Sequence, residues 1–354
     1  MAAREGGRAM EAAARTPSGP RAGRGVSRRT LLTSAVAGGG ALALLAAGLR
    51  SDDRGLRGLR LMVPNTAGSG YDITARTLAE VLAETGAAPD VQVFNLPGAG
   101  GTVALARLFN EAGNGLLGLM MGLGTVGAAY ADGSGQARPW LAAATPVARL
   151  VEEPEVVVVS ADSPYAELSE LLESWAAAPA TMRVGGSSTP AGPDQLMLMR
   201  LADAVGVPRG RVDYVNYDGG ELLPAIRRSE VAFAISGVGE TLAQVQAGEL
   251  RALAVTSGRP LPHYPAPTLR QQGLDLVFTN WRGLLAPPGV DARRREALRA
   301  AVEVARGSAR WRRALERNGW TDAFATGQEF ADFLRDQGER VDATLRGSGG
   351  ALLG

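Results

Sequence analysis

The chain has no cysteine, no lysine and a single histidine, His263. Without cysteine there is no structural disulfide, no thiolate nucleophile, no Cys-based zinc or iron–sulfur site and no cysteine-linked lipid anchor. One histidine cannot assemble a zinc cluster, and the prolines around His263 in "PLPHYP" mark a loop. Also missing are a G-x-S-x-G elbow, a Walker A loop and an H-E-x-x-H pair. No catalytic residue, metal or cofactor is therefore expected.

Long charge runs of one sign are absent as well, and the formal charge of the 354 residues is only +1. That value hides an asymmetry. Residues 1–50 carry eight Arg (4, 8, 15, 21, 24, 28, 29 and 50) against Glu5 and Glu11, a net of +6, so residues 51–354 carry −5. A mildly acidic body is no footprint for nucleic acid. The basic part has the form of a leader. "SRRTLL" at Ser27–Leu32 opens an uncharged stretch, Leu31 to Leu49, rich in Ala and Gly. An Arg-rich region followed by a weakly apolar one is expected to be a twin-arginine export signal, read by the matching export machinery. Its glycines at 38–40 weaken it as a membrane anchor. The mediocre cleavage site in "LAAGLR" keeps open an uncleaved N-terminal hold on a periplasmic or cell-surface protein.

What is present is an alternation. Short apolar runs at Leu59–Val63, Val91–Phe94, Leu116–Met121, Val156–Val159, Met182–Val184, Val212–Asn216, Val231–Ile235, Ala252–Thr256 and Leu274–Phe278 read as strands. Stretches with helical spacing lie between several of them, as with Ile73, Leu78, Val81 and Leu82. This predicts an α/β protein with mostly parallel sheets. Arg294–Arg317 and Gln328–Leu345 read as charged amphipathic helices with no strand between them. About 300 residues exceed a comfortable single core. Two lobes are expected, with crossovers near Val156–Ser160 and Leu274–Trp281. The first lobe is then discontinuous, and ligands bind between the two.

The glycine turns carry the chemistry. In "NTAGSGYD", Asn65–Asp72, a strand ends, glycines free the backbone and a helix begins near Asp72. The unpaired first N–H groups of a helix can receive an anion. Thr66, Ser69 and the Tyr71 hydroxyl add donors, while Asp72 fits better as an N-cap that fixes the loop. The same device recurs in "NLPGAGGTVAL", "GGSSTPAGPDQLMLM", "NYDGGELLPAI" and "ISGVGETLAQV". A rim of helix N-termini around a cleft is expected, holding an anion by neutral donors. "GLGTVG" at Gly122–Gly127 fits a dinucleotide fingerprint, but its helix is soon broken by "ADGSG" and no acid closes a next strand. It reads instead as a glycine-rich loop on the same cleft. Glu152, Glu153 and Glu155 read as a solvated strand edge.

Taken in order, "NTAGSGYDITAR", "NLPGAGGTVALA", "TPVARLVEEPEVVVVSADSPY", "YDGGELLPAI", "SGVGE", "QAGELRALAVTS", "PAPTLRQQGLDLVFTNWRGLLAPPGV" and "GWTDAF" resemble the substrate-binding receptors of tripartite tricarboxylate transporters, within the Bug family. The resemblance implies a two-lobe periplasmic-binding-protein fold, type II-like, with the ligand cleft between the lobes. Residues 1–50 would be the leader, 59–158 and 277–346 the two segments of lobe 1, and 159–276 lobe 2. It implies a non-enzymatic receptor that delivers a small tri- or dicarboxylate to a membrane permease of one small and one large integral subunit, driven by an ion gradient. The first half of the grip would be Thr66, Ser69, Gly70, Tyr71 and Asp72, and the second Ser187, Ser188, Thr189, Gly192 and Asp194. Thr125, Tyr217 and Ser236 resemble further contacts.

Two departures bear on the ligand. The family often has three glycines and an aromatic before the first acid, where this chain has Gly68-Ser69-Gly70-Tyr71. The second loop is longer, carries Pro190 and Pro193, and has Gln195 where His is common. Arg282 in "NWRG" is either a partner for a second carboxylate or a clamp on the two lobes or the C-terminal helices, and the clamp is the expectation. Two other classes stay open at this stage: a sensor that presents its ligand state to a signalling protein, and an exported hydrolase, which lacks a nucleophile–base pair.

Overall fold

The computed structural model describes residues 55–217, 221–262 and 264–347. The leader, Gly219-Gly220 and His263 lie outside them. Among the described residues ten strands are formed: β1 (Arg60–Val63), β2 (Gln92–Asn95), β3 (Leu117–Gly122), β4 (Thr145–Ser160), β5 (Arg183–Gly186), β6 (Asp213–Asn216), β7 (Phe233–Gly237), β8 (Leu250–Val255), β9 (Thr279–Ala286) and β10 (Thr321–Thr326). The helices are α1 (Gly70–Glu84), α2 (Thr102–Asn110), α3 (Leu123–Ala131), α4 (Ala137–Ala143), α5 (Leu168–Ala177), α6 (Pro193–Ala204), α7 (Leu222–Arg227), α8 (Val238–Gln246), α9 (Ala292–Gly307), α10 (Ala309–Asn318) and α11 (Gly327–Gly347).

The strands run in the order β2-β1-β3-β9-β4-β7-β5-β6, with β8 and β10 added on β4. Each end of this order is parallel: β1 with β2 and β3, and β5 with β6 and β7. The middle is antiparallel, because β9 pairs with both β3 and β4, and β4 pairs with β7, β8 and β10. The sheet is thus mixed, not mostly parallel as expected.

β4 joins the two ends. Its 16 residues pair with β9 up to Pro154 and then, from Glu155, with β7. Proline has no N–H to donate to a ladder, so Pro154 suits the point where one set of partners is exchanged for another. The two ends of the sheet, with helices packed on them, form the two-lobe α/β architecture.

Local chemistry explains the helices that frame the site. α1 has its N-cap at Ser69, whose Oγ accepts from the Asp72 N–H, and it buries Leu78, Val81 and Leu82 on one face. These pack with Leu61, Val63 and Trp311 in one apolar cluster. α6 buries Leu196, Leu198 and Leu201 with Val157, Trp175 and Phe233 in another.

Three expectations are corrected in the C-terminal half. The run Leu274–Phe278 is not a strand; the strand is β9, from Thr279. Arg294–Arg317 is not one helix, because Ser308 ends α9 and its Oγ accepts from Trp311 N to cap α10. And a strand, β10, does lie between the C-terminal helices, paired with β4.

Candidate functional site

The loop after β1 is locked by one carboxylate. Asp72 Oδ2 accepts from Gly68 N at 2.9 Å and from Arg76 Nε at 2.9 Å, while Oδ1 accepts from Asn95 Nδ2 at 2.9 Å. The same Asn95 nitrogen also donates to Asn65 O, tying the loop to β2. The N-cap is Ser69 and not Asp72, which sits in the first turn and reaches back to the loop. Burial acts to raise the Asp72 pKa, but the bonds from Arg76, Gly68 and Asn95 outweigh it and hold the carboxyl below its usual range. Thr66 at the tip is exposed, and Ser69 and Gly70 are half-buried.

Tyr71 turns inward from this loop and meets α3. Its hydroxyl accepts from Gly124 N at 3.1 Å. Gly122 must lack a side chain, since a Cβ there would press on the Tyr71 ring and the Trp281 carbonyl. "GLGTVG" is therefore not a loop: its last five residues form the first turns of α3. Burial raises the Tyr71 pKa, opposed by the Arg282 guanidinium. Beside it the Thr125 hydroxyl is fully buried, within hydrogen-bonding reach of the Tyr71 hydroxyl, and that contact also holds the Tyr71 pKa back.

The second loop repeats the device. Asp194, near the start of α6, accepts with Oδ2 from Ser187 N at 2.6 Å and Ser188 N at 3.0 Å, with Ser187 Oγ 3.2 Å away. In return Ser188 Oγ accepts from Asp194 N. Gly192 is the N-cap residue, and a Cβ on it would strike Ser188 and the Thr189 carbonyl. Gln195, the residue that departs from the family pattern, accepts from Ala191 N at 2.7 Å. That bond steadies Ala191 at φ +60°, a left-handed conformation for a non-glycine residue.

The two loops meet over α3. A Cβ on Gly127 would fall far inside contact with the Ala191 carbonyl, and one on Gly124 would touch Pro193 at 3.6 Å. Gly100, from the turn before α2, brings Thr189 Oγ1 within 3.6 Å of its own missing Cβ. Tyr71, Gly122–Thr125 and the Ser187–Asp194 loop are thus gathered into one place. Ser236 joins them from the end of β7, donating to Glu240 Oε2 at 3.0 Å, while Ser187 Oγ donates to the same oxygen at 2.9 Å. Tyr217 differs. Its ring packs against the apolar cluster of Val156, Leu222 and Val238, and its hydroxyl has no hydrogen bond among the described residues.

Beneath the loops lies an acidic floor. Glu153 and Glu155 are buried, 3% and 0% exposed, which overturns the solvated edge expected for them. They stand two apart on β4 and so share a face, the one that also carries Val157 and Val159. Glu153 Oε1 accepts from Gly239 N at 2.8 Å, and its Oε2 accepts from Arg282 Nη2 at 2.6 Å. Arg282 also lies over the Trp320 ring at 5.4 Å and abuts Gly70, where a Cβ would stand 2.6 Å from its Nη2. Arg282 thus ties β9 to its neighbour β4 and to Trp320, the residue before β10. Nε and Nη1 of Arg282 remain buried without a partner.

Charge in this floor is unbalanced. Burial raises the Glu155 pKa well above its ordinary value, with repulsion from Asp194, Glu153 and Glu240 adding to it. Asp194 is pushed up to about 7 by burial and by Glu240. Glu240 is exposed to solvent on α8, and its pKa is raised by the protein around it and by Glu153.

Sequence reasoning misread Glu155 and passed over Glu240, Tyr214 and Asn95. The i, i+2 spacing of Glu153 and Glu155 ahead of four valines was the available signal, since one of the two faces of such a strand is buried. Tyr214, which donates to Ser188 O at 3.1 Å, carried none. A cavity of about 310 Å³ lies under α11, lined by Arg200, Phe278, Trp281, Phe333 and Arg340 among others, and it includes none of the residues chosen from the sequence.

Comparison with known proteins places the fold. The profile of the tripartite tricarboxylate transporter family receptor matches residues 74–349. Protein BugT of Bordetella pertussis is 26% identical over 317 residues, 88% of this chain and 95% of its own. Among solved structures, MatC from Rhodopseudomonas palustris with bound malate superposes with a TM-score of 0.71 at 24% identity, covering 82% of this chain and 99% of MatC. A second R. palustris protein, with adipate, gives 0.74 at 21% identity over 83% of this chain and 97% of its own.

Proposed function

Because the chain belongs to the tripartite tricarboxylate transporter family of receptors, we propose that it is an exported receptor that captures a small di- or tricarboxylate and delivers it to a membrane permease. The observation that carries this reading is the meeting of two Asp-locked turns over one helix N-terminus, with Tyr71, Thr125 and Ser187–Thr189 among the donors they bring together. Each turn presents N–H and hydroxyl groups of the kind that hold an anion. Malate and adipate in two proteins of like fold support a carboxylate as the class.

Residues 59–158 and 277–346 form one lobe in this reading and residues 159–276 the other, in line with the change of partners along β4. Thr66, Ser69, Gly70, Tyr71, Asp72 and Thr125 grip from the first. Ser187, Ser188, Thr189, Gly192, Asp194 and Ser236 grip from the second. Export follows the twin-arginine route, and the permease has one small and one large integral subunit. As a receptor it releases the ligand unchanged in this reading.

The test is a thermal-shift screen of the full chain against citrate, malate, adipate, aromatic acids and phosphate, followed by calorimetry. A ligand at 100 times its Kd stabilises the protein by about 2.7 kcal/mol and raises Tm by a few degrees. Asp72→Ala unties Gly68 and Asn95 and should weaken the binding about tenfold. No hit with any carboxylate would end the reading, and unchanged affinity in the variant would take Asp72 out of the site.

A further inference from the structure

We infer that the cavity under α11 is a second ligand site, separate from the one between the two aspartate-locked loops, and that it takes a carboxylate with an aryl body. This site is independent of the receptor reading above.

Position is the first observation. Trp281 and Arg282 are neighbours on β9, so their side chains leave the strand on opposite faces. Arg282 abuts Gly70, on the side of the first loop. Trp281 faces α11 instead, with its ring 5.1 Å from that of Phe333 and nearly perpendicular to it. The cavity of about 310 Å³ lies on this second face, between α11, α6 and residues 277–279. No residue of either loop, 66–72 or 187–194, lines it.

The second observation is the make-up of the wall. Leu123, Leu196, Phe278 and Trp281 are buried, and with Phe333 they form an apolar interior in which three of the five side chains are aromatic. Arg200 from α6 and Arg340 from α11 are exposed and stand at the mouth. No acid lines the cavity. Small-molecule sites are built in this way, as hollows of roughly 300–1,000 Å³ with mostly apolar walls and a few polar groups that orient the guest.

The third observation is which donors are engaged. Among the described residues the Arg340 side chain has no hydrogen bond and no ion pair, and the only hydrogen bond of Arg200 is to the Val277 carbonyl, at 3.5 Å. Asp203, the acid that acts on Arg200, is taken up by Arg209. Burial and the charge of Arg340 lower the Arg200 pKa, so the two guanidinium groups repel one another across the mouth. Trp281 is 1% exposed, and its indole N–H has no acceptor.

A carboxylate between the two guanidinium forks removes that repulsion and accepts charge-assisted bonds from both. An aryl body behind it packs on Phe278, Phe333 and Trp281 in the edge-to-face manner that those two last rings already show. A small anion leaves the apolar wall uncovered, and a neutral ring leaves the arginines unmatched. Only the combination answers both parts of the cavity.

The test is calorimetry on the full chain with naphthoate, its neutral amide and acetate. Naphthoate should bind at least tenfold tighter than either control. The double variant Arg200→Gln, Arg340→Gln should weaken naphthoate at least tenfold while leaving Tm and the affinity for malate as they were, since both residues are exposed and lie away from the two loops. Asp72→Ala should do the reverse. If naphthoate does not bind, or binds no better than its amide, the cavity is not a carboxylate site and the inference is wrong. It is equally wrong if Asp72→Ala abolishes naphthoate binding and the arginine variant keeps it, because naphthoate then occupies the loop site. A screen of malate and citrate that stays silent ends the receptor reading alone, since the naphthoate measurement does not use it.

Discussion

Asp72 and Asp194 do the same work with opposite electrostatics. Each accepts main-chain N–H groups from the loop before its helix, but Asp72 has Arg76 beside it and Asp194 has Glu240. The first is held low and the second is pushed up to about 7. An unfolded Asp titrates near 3.8, so between that value and about 7 the folded protein binds a proton that the unfolded chain has released. Stability therefore falls as pH rises through this window, by up to roughly 4 kcal/mol for Asp194, and Glu155 acts in the same direction. Denaturant unfolding should show a more stable protein at pH 5 than at pH 8. Asp194→Asn should flatten that difference, and a wild-type protein equally stable at both would mean that Asp194 is ionised in the fold.

At the scale of elements, α3 is the surface on which both loops rest. It can serve because it starts with small residues: Gly124 lies under Pro193 and Gly127 under the Ala191 carbonyl. Gly127→Ala would force that carbonyl away, since backbone cannot swing aside as a flexible side chain can. Overpacking of this kind costs about 1–3 kcal/mol, and the same displacement should lower ligand affinity about tenfold. Gly133→Ala, where nothing lies within 4 Å, is the matching control and should change neither. A Gly127→Ala protein with normal stability and binding would show that the loop does not need its seat on α3.

For the whole molecule, β4 is the continuous element that passes from one end of the sheet to the other, and the chain returns through Val277–Thr279 into β9. Two connections of this kind allow one lobe to rotate against the other as a hinge. Small-angle scattering should show the radius of gyration fall when the ligand identified by calorimetry is added to saturation. A profile that stays the same would rule out closure as the means of capture.

Much of this was legible before the structure. Strands β1, β2, β3, β5 and β6 sit within a residue or two of the runs that announced them, because each is a short apolar stretch ended by Gly, Asn or Pro. The two aspartate-locked loops were legible for a local reason, since a turn and the cap that follows it are decided by residues a few positions apart. The eleven N-terminal residues of β4, along with β9 and β10, were not. Thr145–Glu155 carries two prolines and four charges, which no strand pattern shows, and it becomes a strand only because β9 and β10 supply its partners. The acidic floor was hidden in the same way. Sequence alone determined the α/β class, the turns and the neutral donors on them, all set by short-range sterics and hydrogen bonding. Only the tertiary structure decided that Glu153, Glu155, Asp194 and Arg282 are buried near one another, because desolvation and charge pairing depend on distances between groups far apart in the chain.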